Sequence, residues 1–356
     1  MIAFLPFIIA FIVTAIATPI SLVFIKRFGL FDDPKVHKHP GIIHKIPIPR
    51  GGGIPLFIGI VVTGILFLPI TKIVIALFFA AAISLVVGVI DDRFDISPYL
   101  RFFINIIVAL IVVGSGVGIP FITNPFGGIL YLNSIIIPFD FFGHHSIVFF
   151  SDLIAIIWIV WVMNMLNWSK GVDGQMPGIV AISALVIGIV SLRFSLHEEN
   201  TLIAAKLSFA IAGSALAFLF YNFYPAKIFP GYGATSIYLL LAVVSILSGA
   251  KLATAILVMG VPMVDGIFTI FRRLLTGRSP FWHDKKHLHH LLLSLGMGQR
   301  RIAFFYWTIS AILGTLALAL SSKAKLFAIL MVVIVVGGTI LFLHLALNRL
   351  YGKKNN

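Results

Sequence analysis

The sequence contains no cysteine, which excludes structural disulfides and thiol-based catalysis for this chain. Charge is also scarce, since Asp, Glu, Lys and Arg make up 11% of the residues, against about 25% in soluble globular proteins. Acidic residues are the scarcer sign, with 12 Asp and Glu against 26 Lys and Arg. These shortages exclude an ordinary water-soluble protein with a charged surface.

Apolar residues make up 60% of the chain, and the mean hydropathy is +1.10. Apolar runs of about 18 residues or more are long enough to cross the hydrocarbon core of a bilayer as helices. Reading between Pro, Gly and charged residues gives roughly eleven such spans, some of them short. They lie near residues 2–25, 52–69, 73–90, 100–118, 149–166, 178–193, 201–221, 234–249, 252–271, 301–320 and 326–347. The sequence therefore predicts an all-α, polytopic integral membrane helix bundle of about 10–11 transmembrane helices, forming a single domain over residues 1–356.

The basic residues predict the orientation, because Lys and Arg are enriched on the cytoplasmic side of membrane proteins. Most of them fall in alternate linkers and at the C-terminus, which predicts an N-out/C-in topology. The formal net charge of +14 then reflects topology, and we expect no nucleic-acid partner. The predicted cytoplasmic loops lie near 26–51, 91–99, 167–177, 222–233 and 272–300. The predicted outer loop, 119–148, has the Gly, Pro, Asn and β-favouring residues of a short hairpin.

Acidic residues are concentrated on the predicted cytoplasmic side, although charge balance alone requires only bases there. The segment "DDRFD" places Asp91, Asp92 and Asp95 at the end of an apolar span. Three carboxylates this close repel each other unless a cation such as Arg93 offsets them. The segment indicates either a Mg²⁺ or nucleophile site, or a polar cap at the end of a span. A cap rarely needs three acids, so we favour the site.

Two further cytoplasmic segments allow more than one interpretation. In "NMLNWSKGVDG", Asn164 and Asn167 lie one turn apart, which suits either ligand binding or hydrogen bonding between helices. In "GLFDDPKVHKHPGIIHKIPIPRGGG", basic residues and a glycine run suit either phosphate binding or contact with anionic lipid headgroups.

The segment "RSPFWHDKKHLHHLLLSLG", residues 278–296, is unusually rich in histidine. His283, His287 and His290 would share one face of a helix, and "HDKKH" resembles the zinc motif H-E-x-x-H. We reject zinc as the leading interpretation, because Lys285 and Lys286 disfavour a dication and Asp is shorter than the Glu of the motif. A helix lying on the membrane surface is an alternative. The histidines and the neighbouring cations suit an anion such as a pyrophosphate better.

Taken together, these segments resemble the polyprenyl-phosphate N-acetylhexosamine-1-phosphate transferase family, also called glycosyltransferase family 4. The first loop is similar to the family pattern G-L-x-D-x-P…K-x-H…P-R-x-G-G, and "DDRFD" is similar to D-D-x-x-D. "NMLNWSKGVDG" resembles N-x-x-N-x-x-D-G-x-D-G, "NFYPAKIF" resembles N-F-x-P-A-K-I-F, and "RSPFWHDKKHLHHLLLSLG" resembles R-S-P-F…D-x-x-H-L-H-H-x-L. The resemblance runs from about Gly29 to Gly296, in order and with compatible spacing.

The resemblance implies a reaction at the plasma (inner) membrane, with the active site on the cytoplasmic face. A UDP-sugar, expected to be UDP-N-acetylglucosamine, would donate its sugar 1-phosphate to undecaprenyl (polyprenyl) phosphate and release UMP. This would be the first membrane step of cell-envelope polysaccharide synthesis. The partners implied are the lipid, the UDP-sugar and the membrane, and a homodimer is one candidate assembly.

The resemblance also implies roles for single residues. The expected catalytic residues are Asp91, Asp92 and Asp173. The expected ligands of Mg²⁺ (or Mn²⁺) include Asp92 and Asp173. Asp265, at a predicted cytoplasmic span end, is a further candidate ligand, and a structural role is the alternative for it. The expected substrate-binding residues are Lys38, His39, Arg50, Asn164, Asn167, Lys170, Asn222, Lys227, Arg278, His287, His289 and His290.

Two departures from the family pattern bear on the metal. Lys170 stands where the family has the first Asp of N-x-x-N-x-x-D-G, and Tyr232 stands at the usual metal-binding Asp after P-A-K-I-F. Three hypotheses follow: the remaining carboxylates hold the metal, Lys170 partly replaces it, or the protein binds its ligands without catalysis. An active transferase is the leading hypothesis. A catalytically silent binding homologue is the second, and a transporter, whose spans would need more charge, is the third.

Overall fold

The computed structural model describes residues 4–35, 43–124, 127–140, 144–193, 199–249, 252–282 and 284–352. Lys38, His39 and His283, which the sequence analysis singled out, lie outside the described residues. The helices of the described chain are α1 (Leu5–Arg27), α2 (Gly53–Phe67), α3 (Lys72–Phe94), α4 (Pro98–Gly114), α5 (Phe149–Trp168), α6 (Gln175–Leu192), α7 (Glu199–Asn222), α8 (Thr235–Leu247), α9 (Leu252–Val258), α10 (Gly260–Leu275), α11 (Leu288–Ser294), α12 (Gln299–Ala319) and α13 (Ser322–Gly352).

Long apolar helices dominate the fold. In the described ranges α1, α3, α5, α6, α7, α12 and α13 are each long and apolar enough to cross a membrane, seven helices in all. The helices α2 and α4 are shorter, as is the segment Tyr232–Leu247, which contains α8. Each apolar span predicted from the sequence contains a helix, so the prediction of a polytopic all-α membrane protein is confirmed.

The predicted span 252–271 is wrong as a single straight helix. It is divided into α9 and α10, whose axes meet at an angle of 83°. Pro262 lies in the first turn of α10 and has no N–H to continue the hydrogen-bond ladder of α9. Gly260 packs so closely on α13 that a Cβ there would come within 2.9 Å of Val332. The bend turns α10 away from the axis of α9.

The core of the bundle is formed by α6, α7 and α8. Every residue of α8 is buried, although the helix is too short to be recognised as a full span. In contrast, α13 exposes large apolar side chains such as Phe327 and Phe342, which are 70% and 68% exposed. Exposed apolar side chains on a long helix are expected where the solvent is lipid. The burial pattern therefore separates an inner layer of helices from a lipid-facing one.

Three small antiparallel sheets connect the helices in the described chain. β1 (Phe31–Asp32) pairs with β2 (Ile48–Pro49), β3 (Phe121–Thr123) pairs with β4 (Ile129–Tyr131), and β5 (Ile136–Asp140) pairs with β6 (His144–Val148). The hairpin expected in 119–148 is thus confirmed, as two hairpins rather than one. The first sheet matters for the site, because its end leads into Arg50, whose N–H donates to Leu30 O.

Candidate active site

Two buried carboxylates at the end of α3 hold two arginines of the site, although neither carboxylate lines the cavities described below. Asp91 and Asp92 are 0% and 2% exposed. Asp91 Oδ2 lies 3.2 Å from an Arg101 guanidinium nitrogen, and Asp92 Oδ1 lies 3.0 Å from Arg50 Nε. Arg93, the cation that the sequence suggested as their partner, is exposed and stacks on Phe94 instead, so that pairing is wrong. Each buried carboxylate is therefore balanced by an arginine from a different part of the chain.

These ion pairs leave part of each carboxylate unused. Among the described residues, Asp91 Oδ1 and Asp92 Oδ2 are buried without a hydrogen-bond partner. Although burial opposes it, the negative charges of Asp92 and Asp32 raise the pKa of Arg50 above its ordinary value. Arg50 is thus a permanent cation held in a negative environment.

Lys170 lies in the loop between α5 and α6, near enough to Asp91 and Asp92 to interact with them electrostatically. Its Nζ donates to Gly231 O at 3.0 Å and lies 5.8 Å from the centre of the Tyr232 ring. Arg101 Cζ lies 5.3 Å from the same ring, and Tyr232 Oη accepts from Asn105 Nδ2 at 3.2 Å. Burial, followed by the charge of Arg50, lowers the pKa of Lys170 to about 8. The Tyr232 ring therefore lies close to two cationic groups.

The histidine-rich segment adds a further group of side chains to the site. The helix α11 begins at Leu288, so His287 precedes it and does not share the predicted helical face with His290. His283 lies outside the described residues. His287 Nδ1 lies 2.8 Å from Asp265 Oδ2, and Leu288 N–H donates to Asp265 Oδ1 at 2.9 Å. Asp265 thus fixes the start of α11 and the orientation of one imidazole.

The two histidines of α11, His289 and His290, are neutral rings at pH 7. Burial, followed by the charge of His290, lowers the pKa of His289 well below its ordinary value. Burial and then His287 lower the pKa of His290 to about 4. Imidazoles in this state contribute hydrogen bonds to a ligand rather than positive charge.

Asp284, the aspartate of the segment "HDKKH", is held by two arginines. Asp284 Oδ2 lies 3.1 Å from both Arg272 and Arg273. Although burial opposes it, these two guanidinium groups hold the pKa of Asp284 below its usual range. Asp284 is therefore an ionised carboxylate that fixes the loop after α10 to that helix.

These elements enclose a cavity of about 260 Å³ at one end of the bundle. Its cationic lining residues are Arg50, Arg101, Lys170 and Arg273, and its imidazoles are His287, His289 and His290. Its amide lining residues are Asn164 and Asn167, and its aromatic ones include Trp168, Tyr232, Phe281 and Trp282. Asn164 Nδ2 donates to Val160 O, whereas Asn167 Oδ1 is buried without a partner in the described chain. Two carboxylates, Asp95 and Asp284, also line it, and each is paired with an arginine. The cavity thus combines an excess of positive charge with neutral donors and flat aromatic surfaces.

A second cavity of about 170 Å³ adjoins the first and shares Arg50 and Lys170 with it. Asp173 lines this second cavity, together with Asp32 and His44. Asp173 Oδ2 accepts from Ala226 N–H at 2.9 Å, and burial raises the pKa of Asp173. The predicted catalytic residue Asp173 thus lies next to the main cavity rather than in its lining.

Three predicted substrate-binding residues do not line either cavity in the described structure. Asn222 uses Oδ1 to accept from Gly174 N–H and Nδ2 to donate to Ile228 O, so it fastens two loops together. Lys227 is exposed. Arg278 lies over the Trp282 ring at 4.9 Å and lines a separate cavity between α10 and α13.

The three predicted metal ligands are not brought together. Asp92 pairs with Arg50, Asp173 with the Ala226 N–H, and Asp265 with His287. Across the described ranges, no three His, Asp or Glu side chains are grouped to hold a metal ion. The free oxygen of Asp92 packs on Gly231, where a Cβ would come within 2.0 Å of it. Because Asp92 is paired with Arg50 and the three carboxylates have separate partners, they do not together fit a Mg²⁺ ion. The expected Mg²⁺ (or Mn²⁺) stays a prediction from the resemblance alone.

The sequence analysis missed Arg101 and Arg273 as residues of the site. Both were seen only as basic residues that mark the cytoplasmic side. Arg101 lies on α4, ten positions from its partner Asp91 on α3, and no periodic pattern links residues across a break between helices. Arg273 carried a weak signal, because it follows Asp265 and Thr269 at intervals of four residues on the buried face of α10.

Comparison with known proteins identifies the family. The family model described as Glycosyl transferase family 4 matches residues 74–249. The chain is 30% identical over 341 residues to the probable undecaprenyl-phosphate N-acetylglucosaminyl 1-phosphate transferase of Bacillus subtilis, covering 92% of this chain and 88% of the relative. It is 30% identical over 363 residues to the decaprenyl-phosphate N-acetylglucosaminephosphotransferase of Mycobacterium tuberculosis, covering 92% and 85%. It is 29% identical over 308 residues to the undecaprenyl-phosphate alpha-N-acetylglucosaminyl 1-phosphate transferase of Escherichia coli, covering 81% and 75%. The family expected from the sequence motifs is confirmed, and the chain belongs to glycosyl transferase family 4.

Proposed function

We propose that this protein transfers a sugar 1-phosphate, N-acetylglucosamine 1-phosphate, from a UDP-sugar to undecaprenyl phosphate and releases UMP. The observation that carries the proposal is the main cavity at the end of the membrane helix bundle, which is lined by Arg50, Arg101, Lys170 and Arg273. Cations in a partly desolvated cavity suit a diphosphate, because they neutralise charge that develops during phosphoryl transfer. The names of the relatives agree with this chemistry.

In this reaction an oxygen of the lipid phosphate bonds to the sugar-bearing phosphorus of the UDP-sugar. The bond from that phosphorus to the bridging oxygen breaks, and the electron pair leaves with UMP. A phosphate monoester with a second pKa near 6 is already mostly deprotonated at pH 7, so the reaction needs little help from a base. We assign Asp91 and Asp92 mainly to positioning, because each holds one arginine at the cavity.

The neutral and aromatic groups of the cavity suit the remainder of the donor. Trp168, Phe281 and Trp282 offer flat surfaces for the nucleobase. Asn167 Oδ1, which is buried without a partner in the described chain, suits a hydroxyl or amide N–H of the sugar. His289 and His290, which are neutral, suit the donor through hydrogen bonds.

We propose that the site faces the cytoplasm in an N-out/C-in plasma membrane protein, where it would begin the synthesis of a cell-envelope polysaccharide. The support is the concentration of Lys and Arg at the site end of the bundle, because such residues favour the cytoplasmic side. The homodimer stays a prediction that rests on the resemblance.

The test is UMP release by the purified full-length protein given undecaprenyl phosphate and UDP-N-acetylglucosamine, with the lipid product identified by mass spectrometry. The substitution Asp92→Asn should lower the rate about 100-fold, because displacement of a positioned cation by about 1 Å has effects of this size. The matched control is Asp152→Asn, whose carboxylate accepts from Val148 N–H at the start of α5. It should retain the wild-type rate.

UDP-N-acetylgalactosamine, assayed in parallel, tests the choice of sugar. Absence of UMP with every UDP-sugar, despite retained UDP binding, would contradict the enzyme and leave the catalytically silent homologue.

A further inference from the structure

Lys170 differs from the two arginines beside it, because its hydrogen-bond partner is not a carboxylate. The inference drawn from this difference rests on the proposed function. Arg50 and Arg101 are each engaged by a buried carboxylate, at 3.0 Å and 3.2 Å. Lys170 instead donates to a neutral acceptor, the carbonyl oxygen of Gly231, at 3.0 Å. Its positive charge is therefore not consumed in that contact, and it lies at the boundary of both cavities.

Tyr232 explains why Lys170 stays in this position. The ring is 4% exposed and packs with Lys170 Nζ at 5.8 Å and Arg101 Cζ at 5.3 Å, within the range of attraction between a cation and an aromatic face. Its hydroxyl is fixed by Asn105, and its N–H donates to Asp92 at 2.7 Å. Tyr232 therefore contacts Lys170 through its ring and Asp92 through its backbone N–H. An Asp at this position would add a negative charge, and the tyrosine does not.

The same arrangement disfavours a dication at this place. Mg²⁺ in phosphate-transfer sites is held by one or two carboxylates together with the phosphates of the substrate. Here both buried carboxylates are paired with arginines, and Asp92 Oδ2 packs on Gly231. A third cation, Lys170, adds electrostatic repulsion to any metal that approaches these oxygens.

We propose that Lys170 replaces the divalent cation in this protein, so that sugar 1-phosphate transfer proceeds without Mg²⁺ or Mn²⁺. The ammonium group neutralises charge on the diphosphate as the acceptor oxygen bonds to the sugar-bearing phosphorus. It also stabilises the negative charge that remains on UMP when the bridging bond breaks. A lysine can do this as a point charge, and the flanking arginines supply directional hydrogen bonds.

The activity test compares UMP release by metal-stripped protein in EDTA with release in excess Mg²⁺. The two rates should agree within about twofold, and Lys170→Met should lower both about 100-fold or more, as removal of one charge-stabilising donor does elsewhere. Lys170→Arg, which keeps the charge, should recover part of the rate. The control Lys323→Met removes an exposed lysine at the start of α13 and should leave the rate unchanged.

A second readout does not depend on activity. Electron paramagnetic resonance of Mn²⁺ added to the wild-type protein without nucleotide should show only the signal of the free ion. The double variant Lys170→Asp, Tyr232→Asp should bind Mn²⁺, because it places two carboxylates beside Asp91 and Asp92. Lys323→Asp, which reverses the charge of one exposed lysine elsewhere, should not.

The outcomes separate the two proposals. Activity lost in EDTA and restored by Mg²⁺, Mn²⁺ bound by the wild type, or a double variant that does not bind Mn²⁺ would each overturn the role of Lys170 while leaving the transferase intact. Full activity of Lys170→Met would do the same. Absence of UMP under both metal conditions would overturn both proposals.

Discussion

Lys170 shows how a single side chain changes the character of this site. Its neighbours include two buried carboxylates and two arginines, so its protonation state is set by burial and by charges of both signs. Burial and Arg50 favour the neutral form, Asp92 and Asp91 favour the charged form, and the resulting pKa is about 8. Lys170 is therefore mostly a cation at pH 7 but titrates much closer to neutrality than an ordinary lysine.

We predict an alkaline limit on activity that reports this titration. Because the pKa is lowered to about 8, the charge of Lys170 is present below pH 8 and is lost as the pH rises through that value. The profile of kcat/KM, which reflects the free protein, should fall above about pH 8. Lys170→Arg should move the fall to higher pH, since arginine stays protonated. An unchanged alkaline limb in Lys170→Arg would show that another group controls it.

At the scale of elements, the site depends on where helices end and bend. The 83° angle between α9 and α10 lets the short helix α10 present Asp265, Thr269 and Arg273 on its buried face. Asp265 then holds the start of α11, and Arg273 binds Asp284 in the loop between them. On the other side, α3 ends at Phe94, and Asp95 stops it in a left-handed conformation with φ of 47°. The cavity lies between these two helix ends.

Close packing of glycines positions the turn that carries Tyr232. A Cβ on Gly88 of α3 would come within 2.3 Å of Gly233 Cα, and a Cβ on Gly53 within 2.2 Å of the Gly233 carbonyl carbon. The 3-10 turn Tyr232–Ala234 therefore lies directly against α2 and α3. Backbone atoms form these contacts, so a larger side chain has no rotamer that avoids them.

We predict that Gly88→Ala will destabilise the protein by about 1–3 kcal/mol, the usual cost of overpacking, and will also lower UMP release. The activity effect follows because the displaced turn moves Tyr232 and, with it, Lys170. Thermal unfolding in detergent and the UMP assay measure the two effects. Gly114→Ala is the control, because a Cβ at the end of α4 would meet no atom within 4 Å. A Gly88→Ala protein as stable as wild type would contradict the role of this packing.

At the scale of the whole molecule, the protein has a buried inner layer and an outer layer exposed to lipid. In the most apolar 18 residues of α6 and of α7, 78% of the residues are buried inside the protein, whereas in α13 the share is 11%. The cationic cavity opens at one end of this bundle, where the linkers rich in Lys and Arg also lie. A bundle with charge at one end has a preferred orientation in the membrane.

The absence of native cysteine allows this orientation to be measured with single introduced cysteines. Lys45→Cys and Lys323→Cys are a matched pair, because both lysines are exposed and the sequence places them on opposite sides. A membrane-impermeant maleimide should label Lys323→Cys in intact cells and Lys45→Cys only after lysis. The reverse pattern would place the active site on the outer face.

The apolar spans and the family were predictable from the sequence because their signals are local. A run of apolar residues specifies a membrane helix whatever it packs against, and motifs such as "DDRFD" and "HLHH" are contiguous. The break at Met259 was less visible, since Gly260 and Pro262 are both tolerated within membrane helices.

The sequence by itself determined the all-α membrane fold and the likeness to glycosyl transferase family 4. Only the tertiary structure decided which charges meet: Arg50 with Asp92, Arg101 with Asp91, and Asp265 with His287. The physical reason is that such pairing depends on distances between separate helices and loops. Electrostatic energy falls with separation in space, not along the chain, so residues 42 positions apart can form one ion pair, as Arg50 and Asp92 do.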